Sequence, residues 1–449
     1  MKKILFPILS LLLIGCQTPT EDNSVYFGGK IINPKGDYVL LYNHDHVIDS
    51  IKITKKNTFS SKIDNLKQGL YFFKHGNEHQ YVYLEPKDSL LLRLNTWDFD
   101  ESLVFSGTNA ERNNIMIETF LQNEVDSKTF YKFHDLSQGD FKDKIDSIEQ
   151  DKRTLIDNYK RSNNENSSDF LSFLESYMML PLYTRLENYV IENSLKETPE
   201  QLNPEFTAYR TQVNINTDSL MFFAPFSNYV YANLYSEVYQ KKFKSESDDF
   251  TVALLTSIDE KIGQPKIKNK LLRQTTIRHF YNKSKCKISQ EAFDTFLRLS
   301  TNDHDKEVLS KLLNDVKLVK DKTKLPSFTL IGADGGLRYI EELTENKKAV
   351  LYFRNKKYSS DDWVLSRINY LKAKYPNTAF LVININNQKH QFIKNLNIRD
   401  QYYLNQNSDA HKFLTSKFPR LILVNDKGLI TNGFGALSSN KIEKQIAEL

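Results

Sequence analysis

A proline set just ahead of a buried strand is the feature that most limits how this chain folds. Leu421-Ile422-Leu423-Val424 is an unbroken apolar run, which reads as a strand covered on both faces. Proline has no N–H for a strand ladder and is confined to edges, strand starts and bulges. Pro419 in front of that run therefore demands a fixed turn, and an X–Pro bond in the cis form supplies one, so Pro419 is the cis-proline candidate. A second buried run, Ala349–Phe353, leads into Arg354-Asn355-Lys356-Lys357-Tyr358-Ser359-Ser360. Strand and helix patterns alternate around the two. A helix is expected from Asp361 to Lys374, a strand over Ala379–Ile385, and short helices near Lys389–Asn395 and Asp409–Thr415. A hairpin of Leu421–Val424 and Leu429–Asn432 and a helix over Asn440–Glu448 close the chain. This order predicts an α/β domain with a mostly parallel centre and one antiparallel pair.

Those segments, with Leu325-Pro326-Ser327-Phe328-Thr329-Leu330 and the turn Asp334-Gly335-Gly336, resemble the C-terminal domain of TlpA/ResA-like thioredoxin-fold proteins. In that resemblance Pro419 matches the family's cis-proline and Asn425-Asp426-Lys427-Gly428 its last hairpin turn. The family carries Cys-x-x-Cys after its central strand, and this chain has no cysteine there. Lys357, Tyr358, Ser359 and Ser360 stand at the corresponding, degenerate redox-loop positions. A redox thioredoxin uses a helix N-terminus to lower the pKa of its first cysteine, and neither Lys357 nor Ser360 can form a disulfide. The residues themselves read as a helix start: Ser359 as N-cap, Asp362 closing a capping box, Asp361 favouring the positive helix end. Val364, Ile368, Leu371 and Tyr375 then supply the buried stripe. A serine nucleophile with Lys356 or Lys357 as base is the rival reading, without a recognisable histidine or oxyanion loop nearby.

The N-terminus carries an address. Lys2-Lys3 is a charged n-region, Ile4–Ile14 an apolar h-region, and Leu13-Ile14-Gly15-Cys16 resembles a bacterial lipobox. The apolar run is far shorter than the roughly 20 residues that cross a bilayer. The expectation is a lipoprotein signal peptide over residues 1–15, acylation of Cys16, and a polar tether over 16–24. By resemblance to lipoprotein sorting rules, Gln17 rather than an aspartate after the cysteine implies the outer membrane over the inner.

From Val25 to Ser106 short β-branched and aromatic runs alternate with turn residues such as Asn33-Pro34-Lys35-Gly36 and Pro86-Lys87-Asp88, which predicts an antiparallel β-sandwich over 25–107. Ile48-Asp49-Ser50, Thr58-Phe59, Tyr83–Ser89 and Phe105-Ser106-Gly107-Thr108 are similar to the small β domain ahead of TlpA-like thioredoxins. Residues 108–320 are poor in glycine and carry apolar residues at helical spacing, which predicts an all-α middle region, with Pro181 kinking or breaking a helix over Phe170–Leu195. The thioredoxin-like domain then occupies 321–449.

Other candidates read as structure. His44-Asp45-His46 offers two imidazoles, but where a hairpin turns. Asp303-His304-Asp305 lacks a calcium loop's glycine and distal glutamate, and Thr301-Asn302 looks like a helix start. Tyr231, Tyr235 and Tyr239 form a row at helical spacing that suits either a stacking surface or a helix packed on both sides.

Cys16 and Cys286 are the chain's two cysteines, so with Cys16 acylated no internal pair remains. The net charge of +5 comes from interspersed lysines and acids, without the basic stripe that nucleic acid requires. The expectation is thus an extracytoplasmic, membrane-anchored lipoprotein of the cell envelope, on the periplasmic side or exposed at the surface. Its thioredoxin-like domain binds or scaffolds, with envelope proteins or peptides as partners and no cofactor, metal or nucleic acid. The alternative is a thiol–disulfide oxidoreductase of the TlpA class, acting through Cys286 or another chain.

Overall fold

The structure, a computed structural model, describes residues 23–245, 247–282, 290–385, 392–416 and 418–449. Cys16, Cys286 and Lys417 lie outside these, as does the first part of the helix expected near Lys389–Asn395; its described residues, 392–395, are not helical. Among the described residues no helix is long and apolar enough to cross a membrane. The chain divides into two compact units, one comprising the chain up to Val213 with Ser219–Asn233, the other Asn214–Asp218 with Leu234–Leu449.

The first unit opens with β1 (Val25–Ile32), β2 (Tyr38–Asn43), β3 (His46–Lys52), β4 (Thr58–Ile63), β5 (Gly69–His75), β6 (Glu78–Leu84), β7 (Ser89–Asn95) and β8 (Val104–Gly107). They form two sheets, β4-β1-β7-β8 and β3-β2-β5-β6, whose side chains share one core that includes Phe27, Leu41, Phe73 and Leu92. One pairing corrects the antiparallel expectation: β1 and β7 run parallel. Parallel neighbours need a long crossover, and the chain between these two strands supplies it by building the whole second sheet. Gly29 makes the pairing possible, because a Cβ there would come within 2.1 Å of the Leu92 carbonyl oxygen.

Three long helices follow, α1 (Ala110–Phe130), α2 (Gln138–Ser162) and α3 (Ser168–Leu195). The polar start of α1 is stitched to the sheets by asparagines that imitate a strand partner. Asn113 accepts from the Tyr83 N–H at 2.8 Å and donates to the Tyr83 carbonyl at 3.1 Å; Asn114 does the same for Phe105 at 2.9 and 3.1 Å. Ser137 and Ser167 cap α2 and α3 through the N–H groups of Asp140 and Phe170. Pro181 does not break α3, which runs through it as one helix. One missing N–H is outweighed by the neighbours it leaves in place, since Tyr177, Met178, Leu180, Leu182 and Leu186 are all buried. Arg112 ties the helices together, with Glu165 at 2.6 Å and Glu85 at 2.7 Å. Burial opposes the Glu165 charge, but the Arg112 guanidinium and the Ser167 N–H hold its carboxyl below the usual range. The division between the units falls within α4 (Ala224–Gln240), after Asn233.

The second unit holds α5 (Asp248–Lys261), α6 (Pro265–Asn282), α7 (Gln290–Leu299) and α8 (Asp303–Leu318). Asn302 caps α8 by accepting from the Asp305 N–H at 3.1 Å, which makes the Asp303-His304-Asp305 stretch a helix start. An α/β region follows: β9 (Thr329–Gly332), β10 (Leu337–Tyr339), α9 (Ile340–Thr344), β11 (Lys348–Arg354), α10 (Asp361–Lys374), β12 (Thr378–Asn384), β13 (Gln401–Tyr403), β14 (Arg420–Val424), β15 (Ile430–Gly435) and α11 (Ile442–Ala447). The sheet order is β10-β9-β13-β12-β11-β14-β15, with β12 parallel to β11 and β13, and β14 antiparallel to β11. The C-terminal region thus has the thioredoxin-like order, a parallel centre followed by a hairpin and a helix. Its central strand is covered on both faces. Leu351 and Phe353 pack into one core with Phe328 and Phe413, while Val350 and Tyr352 pack against Val364, Ile368 and Leu371 of α10. The helix expected over Asp409–Thr415 is a single 3-10 turn, Asp409–Lys412.

Candidate functional site

The carboxyl end of β11 is where a sheet of this order places its chemistry, in the crevice outside the strand ends. The loop there is short and self-bonded. Asn355 accepts from the Lys357 N–H at 3.0 Å through its side chain and from the Tyr358 N–H at 2.9 Å through its carbonyl, which winds Lys356–Tyr358 into a 3-10 turn. Lys357 is exposed with its ammonium 5.8 Å from the centre of the Tyr358 ring, and Tyr358 itself is 59% exposed. The helix cap differs from the sequence reading. Ser360, not Ser359, is the N-cap of α10, and its hydroxyl makes no capping bond, so Asp362 closes no box. Tyr375 lies at the C-cap of α10, half-buried and packed at the edge of the core.

What holds the helix start is a residue read from sequence as part of the loop. Arg354 ends β11 with a fully buried side chain, and its Nη2 donates to the Asp361 carboxylate and, at 3.3 Å, to the Ser359 carbonyl. Lys356 adds its ammonium to Asp361 at 3.4 Å. Burial works against the Asp361 charge, but the two cations hold its carboxyl below the usual range. Among the described residues the Nε and Nη1 of Arg354 have no hydrogen-bond partner, nor does the Oδ1 of Asn384, the residue beside it on β12. The lysines do not serve the serines: Lys356 is spent on Asp361, and the Ser359 hydroxyl donates to the Asn355 carbonyl at 3.5 Å. A nucleophile activated by a lysine has no geometry here.

On the other side of β11, the Phe418–Pro419 peptide is cis and leads into Arg420, which pairs with Phe353 across the ladder. Arg420 and Asp315 of α8 form an ion pair at 2.8 Å with both side chains fully buried. The second Asp315 oxygen accepts from the N–H groups of Thr415 and Ser416 at 3.0 and 2.9 Å and from the Ser416 hydroxyl at 2.7 Å. The guanidinium lies 4.4 Å from the Phe434 ring centre. Two buried arginines therefore bracket the end of the central strand, one on each face of the sheet. Their sequence signal is an arginine at the margin of an uninterrupted apolar strand. For Asp315 it is a carboxylate in line with the buried Leu312 and Val319.

The remaining candidates are structural. His44 sits in the β2–β3 turn with positive φ, its ring 4.5 Å from that of Phe222. Tyr235 and Tyr239, both half-buried, pack on Phe250 at 5.8 and 4.7 Å, with Arg278 over Tyr235, while Phe226, Tyr229, Leu234 and Val238 form the buried face of the helix.

No protein-family model and no curated protein matches this chain. The solved structures similar to it are thioredoxin-like thiol–disulfide oxidoreductases that match only part of it. A thioredoxin-like protein from Bacteroides caccae is 12% identical and covers 59% of this chain and 93% of its own, with a TM-score of 0.35. The thioredoxin domain of a thiol-disulfide oxidoreductase from Bacteroides vulgatus is 19% identical over 28% of this chain and 98% of its own, TM-score 0.23. A thiol:disulfide interchange protein from a Bacteroides species is 17% identical over 29% of this chain and 90% of its own, TM-score 0.24. A fold assigns no activity by itself.

Proposed function

We propose that this is a lipid-anchored envelope protein whose C-terminal domain keeps the thioredoxin-like order as a binding or scaffold module and carries no redox centre. The observation that carries the reading is the Arg354–Asp361 pair at the head of α10. A redox thioredoxin needs that helix start to stabilise a thiolate. In this chain a carboxylate already occupies it, neutralised by a buried guanidinium and by Lys356. The exposed Lys357 and Tyr358 at the tip of the loop are left as contact residues. Acylation of Cys16 anchors the chain, by the lipobox pattern, to the outer membrane.

The reading is tested in the anchored, full-length protein by replacing Tyr358 with a photo-crosslinking amino acid and irradiating intact envelopes. A discrete envelope protein joined to the loop is the expected product. Absence of any crosslink, or a partner released by a thiol reductant from the unmodified chain, would favour the oxidoreductase instead.

A further inference from the structure

The two sheets of the first unit differ on their outer faces. That of β3-β2-β5-β6 is covered: Tyr81 packs 5.2 Å from Phe223, and Tyr83 packs 5.0 Å from Phe170 of α3. The outer face of β4-β1-β7-β8 is open, and its register lays it out in rows. In one row Lys62 stands beside Tyr26, its ammonium 5.7 Å from the ring centre. Leu91 lies in the next. In the third, Lys30, Arg93 and Val104 stand in line across β1, β7 and β8. Tyr26, Leu91 and Val104 therefore run as a diagonal apolar stripe, 49%, 47% and 57% exposed, with the cations beside it.

The remaining positions of these rows are serine, threonine or glycine, so the face carries three cations and no acid. Lys30 and Arg93 are direct neighbours in the parallel pairing of β1 and β7, and among the described residues neither forms an ion pair. Like charges directly opposite on adjacent strands destabilise a sheet, and an anion from outside relieves that repulsion. Single exposed apolar residues are ordinary, whereas a continuous stripe rimmed by polar groups marks a contact surface.

The chemistry of the occupant follows from the mixture and from its place in the chain. Lysine and arginine reach lipid phosphates while their stems and a tyrosine ring sit at headgroup level. Val25 is nine residues on from Cys16, so the start of β1 lies within about 30 Å of that cysteine. With Cys16 acylated, the sheet is held at a membrane surface, where a basic patch supplies the second signal that stable attachment takes.

We propose that the outer face of β4-β1-β7-β8 docks on a lipid surface bearing anionic phosphate headgroups, with Lys30, Lys62 and Arg93 on the phosphates and Tyr26, Leu91 and Val104 among the headgroups. The proposal rests on the lipid-anchor reading for its choice of a membrane over other anions.

The test uses the mature chain, residues 16–449 with Cys16→Ser, made without the signal peptide so that no acyl chain contributes. It is sedimented with vesicles of phosphatidylethanolamine and phosphatidylglycerol, with vesicles of phosphatidylcholine alone, and passed over heparin. Binding to the anionic vesicles is expected, weakening as salt rises, with little to the neutral ones. Each cation near an anionic surface is worth about fivefold, so Lys30→Ser with Arg93→Ser should weaken binding about thirtyfold and flatten its salt dependence. The same pair should melt no lower than the wild type, since it removes a repulsion. Leu91→Ser should weaken binding and leave the salt dependence unchanged. Lys322→Ser with Lys427→Ser, the same loss of charge at exposed positions in the second unit, should bind like the wild type. No vesicle binding, equal binding to neutral and anionic vesicles, or retention on heparin alone would overturn the proposal. So would an equal loss in the two lysine-containing pairs. Palmitate labelling reads the anchor separately: vesicle binding without labelling would remove the anchor and keep the face, and labelling without vesicle binding would do the reverse.

Discussion

Replacing Asp315 by alanine should be among the most damaging single changes in the second unit. Asp315 sits on α8 with no exposed side-chain surface and receives Arg420 Nη1 at 2.8 Å, two backbone N–H groups and the Ser416 hydroxyl. The alanine variant leaves the Arg420 guanidinium inside the protein without its counter-charge, and it orphans the N–H groups of Thr415 and Ser416. Breaking a buried pair by removing one partner costs about 3–5 kcal/mol. For a cooperative unit of this size, about 2–4 °C is lost per kcal/mol, so the melting temperature should fall by about 6–20 °C. Circular dichroism with urea titration measures it, and a double-mutant cycle separates the pair from the packing around it. Asp315→Leu combined with Arg420→Met removes both charges at similar volume, and it should recover a large part of what either single change loses. If Asp315→Ala stays within about 1 kcal/mol of wild type, or the double variant is as unstable as the sum of the singles, the pair is not what fastens α8 to the sheet.

Other outcomes follow from the same physics. Growth with a palmitate analogue should label the wild type and not Cys16→Ser, which should remain unprocessed; equal labelling would remove the lipid anchor. The folded Asp361 carboxyl is held below its unfolded pKa, so the stability it contributes is present above about pH 4 and is lost as pH falls through the lowered folded value. Asp361→Asn should accordingly melt below wild type at pH 7, by about 1–2 kcal/mol given its partial exposure, and the two should converge in strong acid. A difference that persists unchanged at low pH would mean that the carboxylate charge is not the source.

The C-terminal sheet was legible because its signal is composition: β11 and β14 are uninterrupted apolar runs, and Pro419 excludes most other arrangements of the second. The long helices were legible where apolar residues recur, as in α2 and α3. Other parts were hidden by the same rules. α1 buries Arg112, Asn113 and Thr119 along with its apolar residues, so its inward face is not an apolar stripe. The parallel contact of β1 and β7 depends on Gly29 meeting Leu92, two residues far apart in the chain, which alternation within either strand cannot reveal. In the loop after β11, serines before an acidic pair matched a capping box. A buried arginine took the carboxylate instead, and its partner lies seven positions on, beyond any local pattern. A cavity of the first unit is a product of tertiary assembly: of the residues lining it, Asp100 follows β7, Glu124 lies on α1, and Tyr177 and Arg185 lie on α3, and none stands in a recognisable motif.

The most direct test of the central reading is the rate at which the full-length protein catalyses insulin reduction by a dithiol. Exchange needs a thiolate to attack a disulfide and a second thiol to resolve the mixed intermediate. With Cys16 acylated, Cys286 is the one thiol left in the sequence, and no cysteine stands at Lys357 or Ser360. The account predicts a rate equal to that of the dithiol alone, with Cys286→Ala indistinguishable from wild type. Catalytic turnover by the unmodified protein that Cys286→Ala abolishes would contradict it.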